Sequence, residues 1–448
     1  MKSLWQNANA RRLFNCIVAT ALIAVVTGPP GNSSAPMQGI NGSFAEPASF
    51  FGLFHTQRWL VFLALSLIIF AVLTLWRARG IQLKSGVSTL VARPRAVTQL
   101  KPVRLAVGIG LLVFAVLLPH IETDPFWQAA MVEQIAVYVL LALGLNVVVG
   151  FAGLLDLGYV AFYAIGAYAT AWVTGALPLP APFGIHMDPF FAIPIAIVLV
   201  MVSGVILGAP TLRLRGDYLA IVTLGFGEII TLFANNLYGI TGGATGTNQI
   251  PHFSFHVGPI KYLWGLAPVP YYYLTLGFVV IFLLAFSLLE HSRVGRAWTA
   301  IREDEVAAES LGINPLKYKV MAFAIGAASA GFAGVMTAAQ TNFVSPSTFT
   351  LLFSINILVL VIFGGMGSIT GTLVGAILIQ TVSMFLIHSP PAGYQAQDLY
   401  IYLGALLVIM MIFRPAGLVP SKRRKREIDL AEAFNEGHLD EVLTGDEQ

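Results

Sequence analysis

Apolar runs long enough to cross a bilayer recur along almost the whole chain, and that succession leaves few folds open to it. A membrane-crossing helix needs about 20 mostly apolar residues. On that rule, runs are read near 12–28, 58–76, 103–119, 131–149, 154–175, 190–210, 218–236, 271–290, 320–340, 351–367, 369–388 and 399–414. With 57% hydrophobic and 10% charged residues among 448, and a mean hydropathy of +0.78, the apolar surface exceeds what a soluble core of this length can bury. Lipid is the solvent. The expected fold class is an all-α integral membrane protein, a polytopic bundle of about 10–12 transmembrane helices with glycine-broken segments. The lower number holds if two short glycine-broken runs are re-entrant, and 351–388 is where one or two crossings stay open.

The basic residues orient the bundle. Of the 25 Lys and Arg, 22 fall on alternate connections assigned to one side, namely around 2–12, 77–104, 213–215, 293–319 and 422–426. Only Arg58 and Lys261 fall on the other side, while Arg414 ends the last run. This split places the basic side, and both termini, in the cytoplasm. The opposite connections carry Glu46, Glu122, Asp124, Asp188 and Asp398. The pI of about 8.9 therefore reflects topology and contact with lipid headgroups, and no nucleic-acid partner is expected. Arg11 and Arg12 before the first run resemble the start of a signal peptide, but no small-x-small site precedes Gly28-Pro29-Pro30, so an uncleaved anchor helix is expected. Cys16, the single cysteine, lies in that run, which excludes an intrachain disulfide and a cysteine metal cluster.

Three regions follow from composition. Residues 1–100 form an N-terminal extension with two runs, a Gly/Pro/Ser/Asn-rich connection and a basic linker; residues 101–420 form the transmembrane core; residues 421–448 form a charged cytoplasmic tail. The tail holds eight of the chain's 22 acids and is expected to be solvated, with no specific role. Within the core, glycine is concentrated in two stretches that resemble each other loosely, NVVVGFAGLLDLGY with Gly150 and Gly153, and LVIFGGMGSITGTLVGA with Gly364, Gly365 and Gly367. Small residues let helices approach closely in lipid and permit the breaks that a cavity can use, although ordinary helix packing is the commoner reason for any single glycine.

One compact polar island, His291 to Lys319, interrupts the apolar chain. Arg296 to Leu311 lacks Gly and Pro and is predicted to form one helix, ended by Gly312 and Asn314-Pro315. Trp298, Ile301, Ala308 and Leu311 share its apolar face; Arg302, Glu303, Asp304 and Glu309 offer polar contacts. Such a helix lies on headgroups or docks into a partner's groove. Three consecutive acids, Glu303, Asp304 and Glu305, suit anionic lipid poorly and favour a protein partner.

At this point the residues carry a resemblance. The string EVAAESLG, Glu305 to Gly312, resembles a degenerate form of the EAA loop of ABC importer permeases. The wider strings GLNVVVGFAGLLDLGYVAFYAIGAYA (144–169), LRLRGDYLAIVTLGFGEI (212–229), ITGGATG (240–246), GRAWTAIREDEVAAESLGI (295–313), NFVSP (342–346) and FGGMGS (363–368) are similar to the LivM-type permease of branched-chain amino-acid importers, over roughly residues 100–418. The resemblance implies an ABC importer permease, not an enzyme, with no cofactor. Its partners would be a sister permease, two cytoplasmic ATPase subunits and a periplasmic amino-acid-binding protein. It also implies that Arg296, Arg302, Glu303, Asp304, Glu305, Ala307, Ala308 and Gly312 belong to an ATPase-coupling segment. Glu-Val-Ala-Ala stands where the family pattern has Glu-Ala-Ala, so the register of that motif is open. Independently, no GxxxxGK[ST] occurs, nor any Gly-Lys dipeptide, so energy must arrive through contacts. The longest outer segment, Leu237 to Pro270, is expected to receive the binding protein.

Polar groups inside apolar runs are costly unless paired or wetted. Glu228 in LGFGEIITLF lines a pathway or pairs with a neighbour; Asp156 caps a helix break; Asn146 bonds between helices. Arg213, Arg215 and Asp217 are read as a second cytoplasmic turn. His252 and His256 lie four apart, but in a Pro- and Gly-flanked segment where a helix is not expected, and without HExxH no metal site is predicted. Two other classes stand beside the importer reading. A urea or amide importer would use the same architecture, and an ion-coupled secondary carrier would carry more intramembrane carboxylates and no coupling segment.

Overall fold

The computed structural model describes residues 101–420, save 122–123, 182–183, 185, 212–216, 258–259, 266, 389–397 and 415. The runs at 12–28 and 58–76, the tail after 420, and Arg213 and Arg215 lie outside the described residues. The chain divides into two compact units, residues 1–121 with 385–399, and residues 122–384 with 400–448. In the first, the described chain is α1 (Lys101–Ile121) together with a few residues at the end of one later helix and the start of another.

The second unit holds the rest. Its helices are α2 (Pro125–Phe151), α3 (Val160–Val173), α4 (Pro189–Thr211), α5 (Asp217–Asn236), α6 (Pro268–Glu290), α7 (Arg293–Glu303), α8 (Glu305–Ser310), α9 (Pro315–Thr341) and α10 (Leu351–Gly364). Most of α11 (Ile369–His388) and α12 (Asp398–Phe413) belong to it as well. Among the described residues seven helices are long and apolar enough to cross a membrane, and the fold is a mostly helical, multi-pass membrane protein. The apolar run at 351–388 resolves into two helices, α10 and α11, joined by the turn around Gly365–Ser368.

Two helices form the centre. The apolar stretch of α2 is 83% buried and that of α9 is 72% buried, against 28% for α4 and α5 and 22% for α6. Small residues make this possible. Gly144 of α2 packs on Gly326 and Ser329 of α9, and Gly166 of α3 packs on the backbone at Gly331, so the helix axes approach where a Cβ has no room. Tyr159 Oη donates to the Gly326 carbonyl at 2.8 Å, and Tyr163 Oη to Thr337 Oγ1 at 2.9 Å, which satisfies two buried hydroxyls across the same interface.

The run predicted at 154–175 is corrected. Helix α3 has 14 residues, about 21 Å at 1.5 Å per residue, which falls short of a hydrocarbon core of about 30 Å. The preceding 152–159 is non-helical, with Ala152, Leu154, Asp156 and Gly158 buried. Irregular backbone is tolerated at membrane depth when protein covers it. Asp156 caps the break as expected: its Oδ1 accepts from Gly158 N at 2.9 Å.

Helix α9 runs from the charged island to an opposite end built of short strands. There β1 (Thr247–Asn248) pairs antiparallel with β4 (Phe343–Val344), and β2 (Ser254–Val257) with β3 (Ile260–Leu263). His252 lies in coil, as expected, and its Nδ1 sits 3.0 Å from Tyr271 Oη and 2.9 Å from the Ala339 carbonyl.

Candidate functional site

The polar island folds as two helices, not the single helix predicted over 296–311. Ser292 caps α7, its Oγ accepting from Val294 N at 3.1 Å and Gly295 N at 3.2 Å. The apolar face then fixes α7 to the body. Trp298 is fully buried and its Nε1 donates to the Tyr318 carbonyl at 2.6 Å; Ala297 and Ile301 are buried beside it. Asp304 ends the helix in extended backbone at φ −150°, and its Oδ1 accepts from Val306 N at 2.9 Å and Ala307 N at 3.0 Å. The carboxylate satisfies orphan donors of a new helix, so the break is a capping event.

Helix α8 is held at both ends. Glu305 Oε1 lies 2.7 Å from Lys319 Nζ, whose side chain is nearly buried at 6% exposure. Gly312, at φ +83°, closes α8 with Gly312 N donating to the Glu309 carbonyl at 2.9 Å and Ile313 N to the Ala308 carbonyl at 3.1 Å, the paired bonds of a Schellman motif. Ala308 is buried, but Leu311 is 81% exposed and Val306 60% exposed. Leu311 thus leaves the predicted shared face, because the break at Asp304 changes the rotation of everything after it. Exposed Glu303, Asp304, Ala307, Glu309 and Gly312 surround these two apolar side chains.

Arg302 is exposed and also makes an inward contact. Its guanidinium donates to the Gly150 carbonyl at the C-terminal end of α2. That end is a π turn, Asn146–Phe151, whose last carbonyls lack helical partners and carry the negative pole of the helix dipole, so a cation suits them. The Arg302 stem lies over Gly153, which holds φ +71° and whose added Cβ would come within 2.6 Å of Arg302 Cγ. Across the same space, Asn146 Oδ1 accepts from Gly367 N at 2.8 Å, the expected interhelical bond. Gly367 holds φ +80°, and its Cβ would lie 3.0 Å from Arg302 Nη1. Gly364 and Gly365 continue this junction, packed on Gly371 and on the segment after α12, where Val419 N donates to the Gly364 carbonyl at 3.0 Å. The structure therefore brings the two glycine-rich stretches together, with Asn146 and Arg302 as their shared polar contacts.

Arg296 and Glu228 stand apart from this junction. Arg296 Nη1 donates to the His291 carbonyl of its own turn at 3.0 Å. Glu228 is exposed on α5, the eleventh residue of the apolar stretch Tyr218–Asn236, beside open space at Gly225, and has no hydrogen-bond or ion-pair partner among the described residues. Sequence reasoning missed Lys319, counting it only as an inner positive charge. The available signal was a lysine entering an apolar run after three acids, since a buried ammonium needs a partner.

The sequence profile for the branched-chain amino acid transport system permease component matches residues 129–413, which holds α3 to α12 and nearly all of α2. The chain belongs to this permease family. It is 41% identical over 334 residues to the high-affinity branched-chain amino acid transport system permease protein LivM of Escherichia coli strain K12, covering 70% of this chain and 75% of that protein. Against LivM of Salmonella typhimurium strain LT2 the identity is 40% over 347 residues, covering 73% and 78%. The permease LivH of Escherichia coli strain K12 is similar at 23% identity over 294 residues, 63% of this chain and 91% of that protein. These relatives are transport permeases, not enzymes. No solved structure matches this permease chain.

Proposed function

We propose that the chain is a permease subunit of an ATP-driven importer of branched-chain amino acids. The observation that carries the coupling reading is the presentation of α8: a capped, ion-paired helix displaying Val306 and Leu311 in an acidic surround. In this reading one of two cytoplasmic ATPase subunits receives α8, and a related permease completes the translocation pathway. A soluble binding protein delivers the solute at the strand-bearing end around Leu237 to Pro270. The basic ends face the cytoplasm of a bacterial inner membrane. The branched-chain substrate rests on the names of the relatives. Glu228 lines the pathway at the junction with the second permease. A carboxylate facing acyl chains costs about 3 kcal/mol, which a wetted or protein-lined position avoids.

The test is uptake of radiolabelled leucine by cells carrying or lacking the chain, with ATP depletion and an uncoupler as separate arms. Loss of uptake that follows ATP and not the proton gradient is the expected result. Normal leucine uptake without the chain redirects the substrate to urea or amides, and uncoupler-sensitive uptake points to a secondary carrier.

A further inference from the structure

We infer that Arg302 is the positioning residue through which displacement of the cytoplasmic helices reaches the two glycine breaks in the membrane core. The inference deepens the importer reading and rests on it for the source of the displacement. Three contacts carry it. The guanidinium donates to the Gly150 carbonyl, the stem covers Gly153, and Nη1 sits against Gly367. Gly150 and Gly367 are also neighbours, since a Cβ on Gly367 would lie 3.0 Å from the Gly150 carbonyl oxygen. Asn146 then ties the pair through Gly367 N at 2.8 Å.

The joint is suited to transmission because of what it lacks. Neither break offers a side chain at Gly150, Gly153 or Gly367, so the guanidinium meets backbone directly and moves backbone directly. A charge-assisted bond to an unsatisfied helix-end carbonyl is directional and short, unlike apolar packing, which slides. Load applied to α8 passes through the single residue Asp304 into the last turn of α7, where Arg302 sits. A second line leaves α8 through Glu305 and Lys319 into α9, which packs on α2 where Gly326 meets Gly144 and Val148; the Arg302 line is the one that touches the Gly150 carbonyl, Gly153 and Gly367 together. Both of those segments contain residues in the left-handed region, Gly153, Gly365 and Gly367, where backbone rotation meets least steric resistance.

The experiment uses the full complex in proteoliposomes, with Cys16→Ser removing the native thiol and Met366→Cys placing a reporter between Gly365 and Gly367. Thiol labelling is followed with and without ATP and vanadate, a readout that does not depend on which solute is carried. With Arg302 intact, trapping the nucleotide is expected to change the labelling rate at least threefold. Arg302→Gln is expected to copurify its ATPase subunits yet lose that change, and transport per ATP hydrolysed is expected to fall at least tenfold. Arg302→Lys, which keeps the charge and one reaching donor, restores part of both. A nucleotide-dependent change of full size in Arg302→Gln overturns the inference, as does its absence when Arg302 is intact. If the intact complex shows the change but carries no leucine, the substrate reading fails while the role of Arg302 stands.

Discussion

Helices α7 and α8 come from one charged string and one residue separates them, yet they are built in opposite ways. In α7 the large apolar side chains, Trp298 and Ile301, are buried and the Trp298 indole is hydrogen-bonded to the start of α9. In α8 the large apolar side chains, Val306 and Leu311, are exposed, and the helix is secured by polar means, an Asp cap, a Schellman close and an ion pair. Hydrophobic burial fixes a helix to its own protein but consumes the surface that a partner needs. Polar fixation leaves that surface free. The division teaches that attachment and docking are separated along the chain, with Asp304 as the joint.

Four variants sharpen this comparison, in order of their effect on the isolated permease. Trp298→Ala removes a fully buried indole and is expected to destabilise the fold by about 3–5 kcal/mol, read as a lowered unfolding temperature in detergent. Lys319→Ala leaves the Glu305 carboxylate, 31% exposed, without its partner; about 1–3 kcal/mol is expected, less than for a fully buried pair because solvent reaches the acid. Removing both groups in Lys319→Ala with Glu305→Ala recovers part of that loss, whereas a loss equal to the sum of the two single variants argues that the pair contributes nothing. Val306→Asp with Leu311→Asp is expected to change stability by less than about 0.5 kcal/mol, since both side chains face outward. The same double variant should lose its ATPase subunits on purification. A large drop in stability there would mean that α8 is another packed helix.

Much of the bundle was legible because apolar length is a strong signal. The runs near 190–210, 271–290 and 320–340 lie within α4, α6 and α9, although those helices start earlier, at Pro189, Pro268 and Pro315, and one or two crossings over 351–388 stayed open. The break inside the polar island was not legible. Asp304 has only a modest helix penalty, and whether its side chain competes for backbone donors depends on local geometry that composition does not encode. That one break then misdirected the reading of Leu311, whose face depends on uninterrupted helical rotation. The short α3 was hidden for a related reason: buried irregular backbone is as apolar as helix, so 152–159 joined the run. At the candidate site the glycines and Asn146 were visible as residue types, and Asn146 was read as an interhelical donor or acceptor. Their meeting with Arg302, 152 positions away from Gly150, is a tertiary fact that spacing does not contain.

The central claim is that α8 presents the docking surface while α7 is committed to the permease itself. Photo-crosslinking tests it most directly, with a benzoyl-phenylalanine placed at Leu311 in one variant and at Arg293, exposed at the start of α7, in another, each in the assembled complex. The prediction is a strong crosslink from 311 to an ATPase subunit and a weak one or none from 293. Crosslinking to the ATPase from 293 with none from 311 would contradict the account.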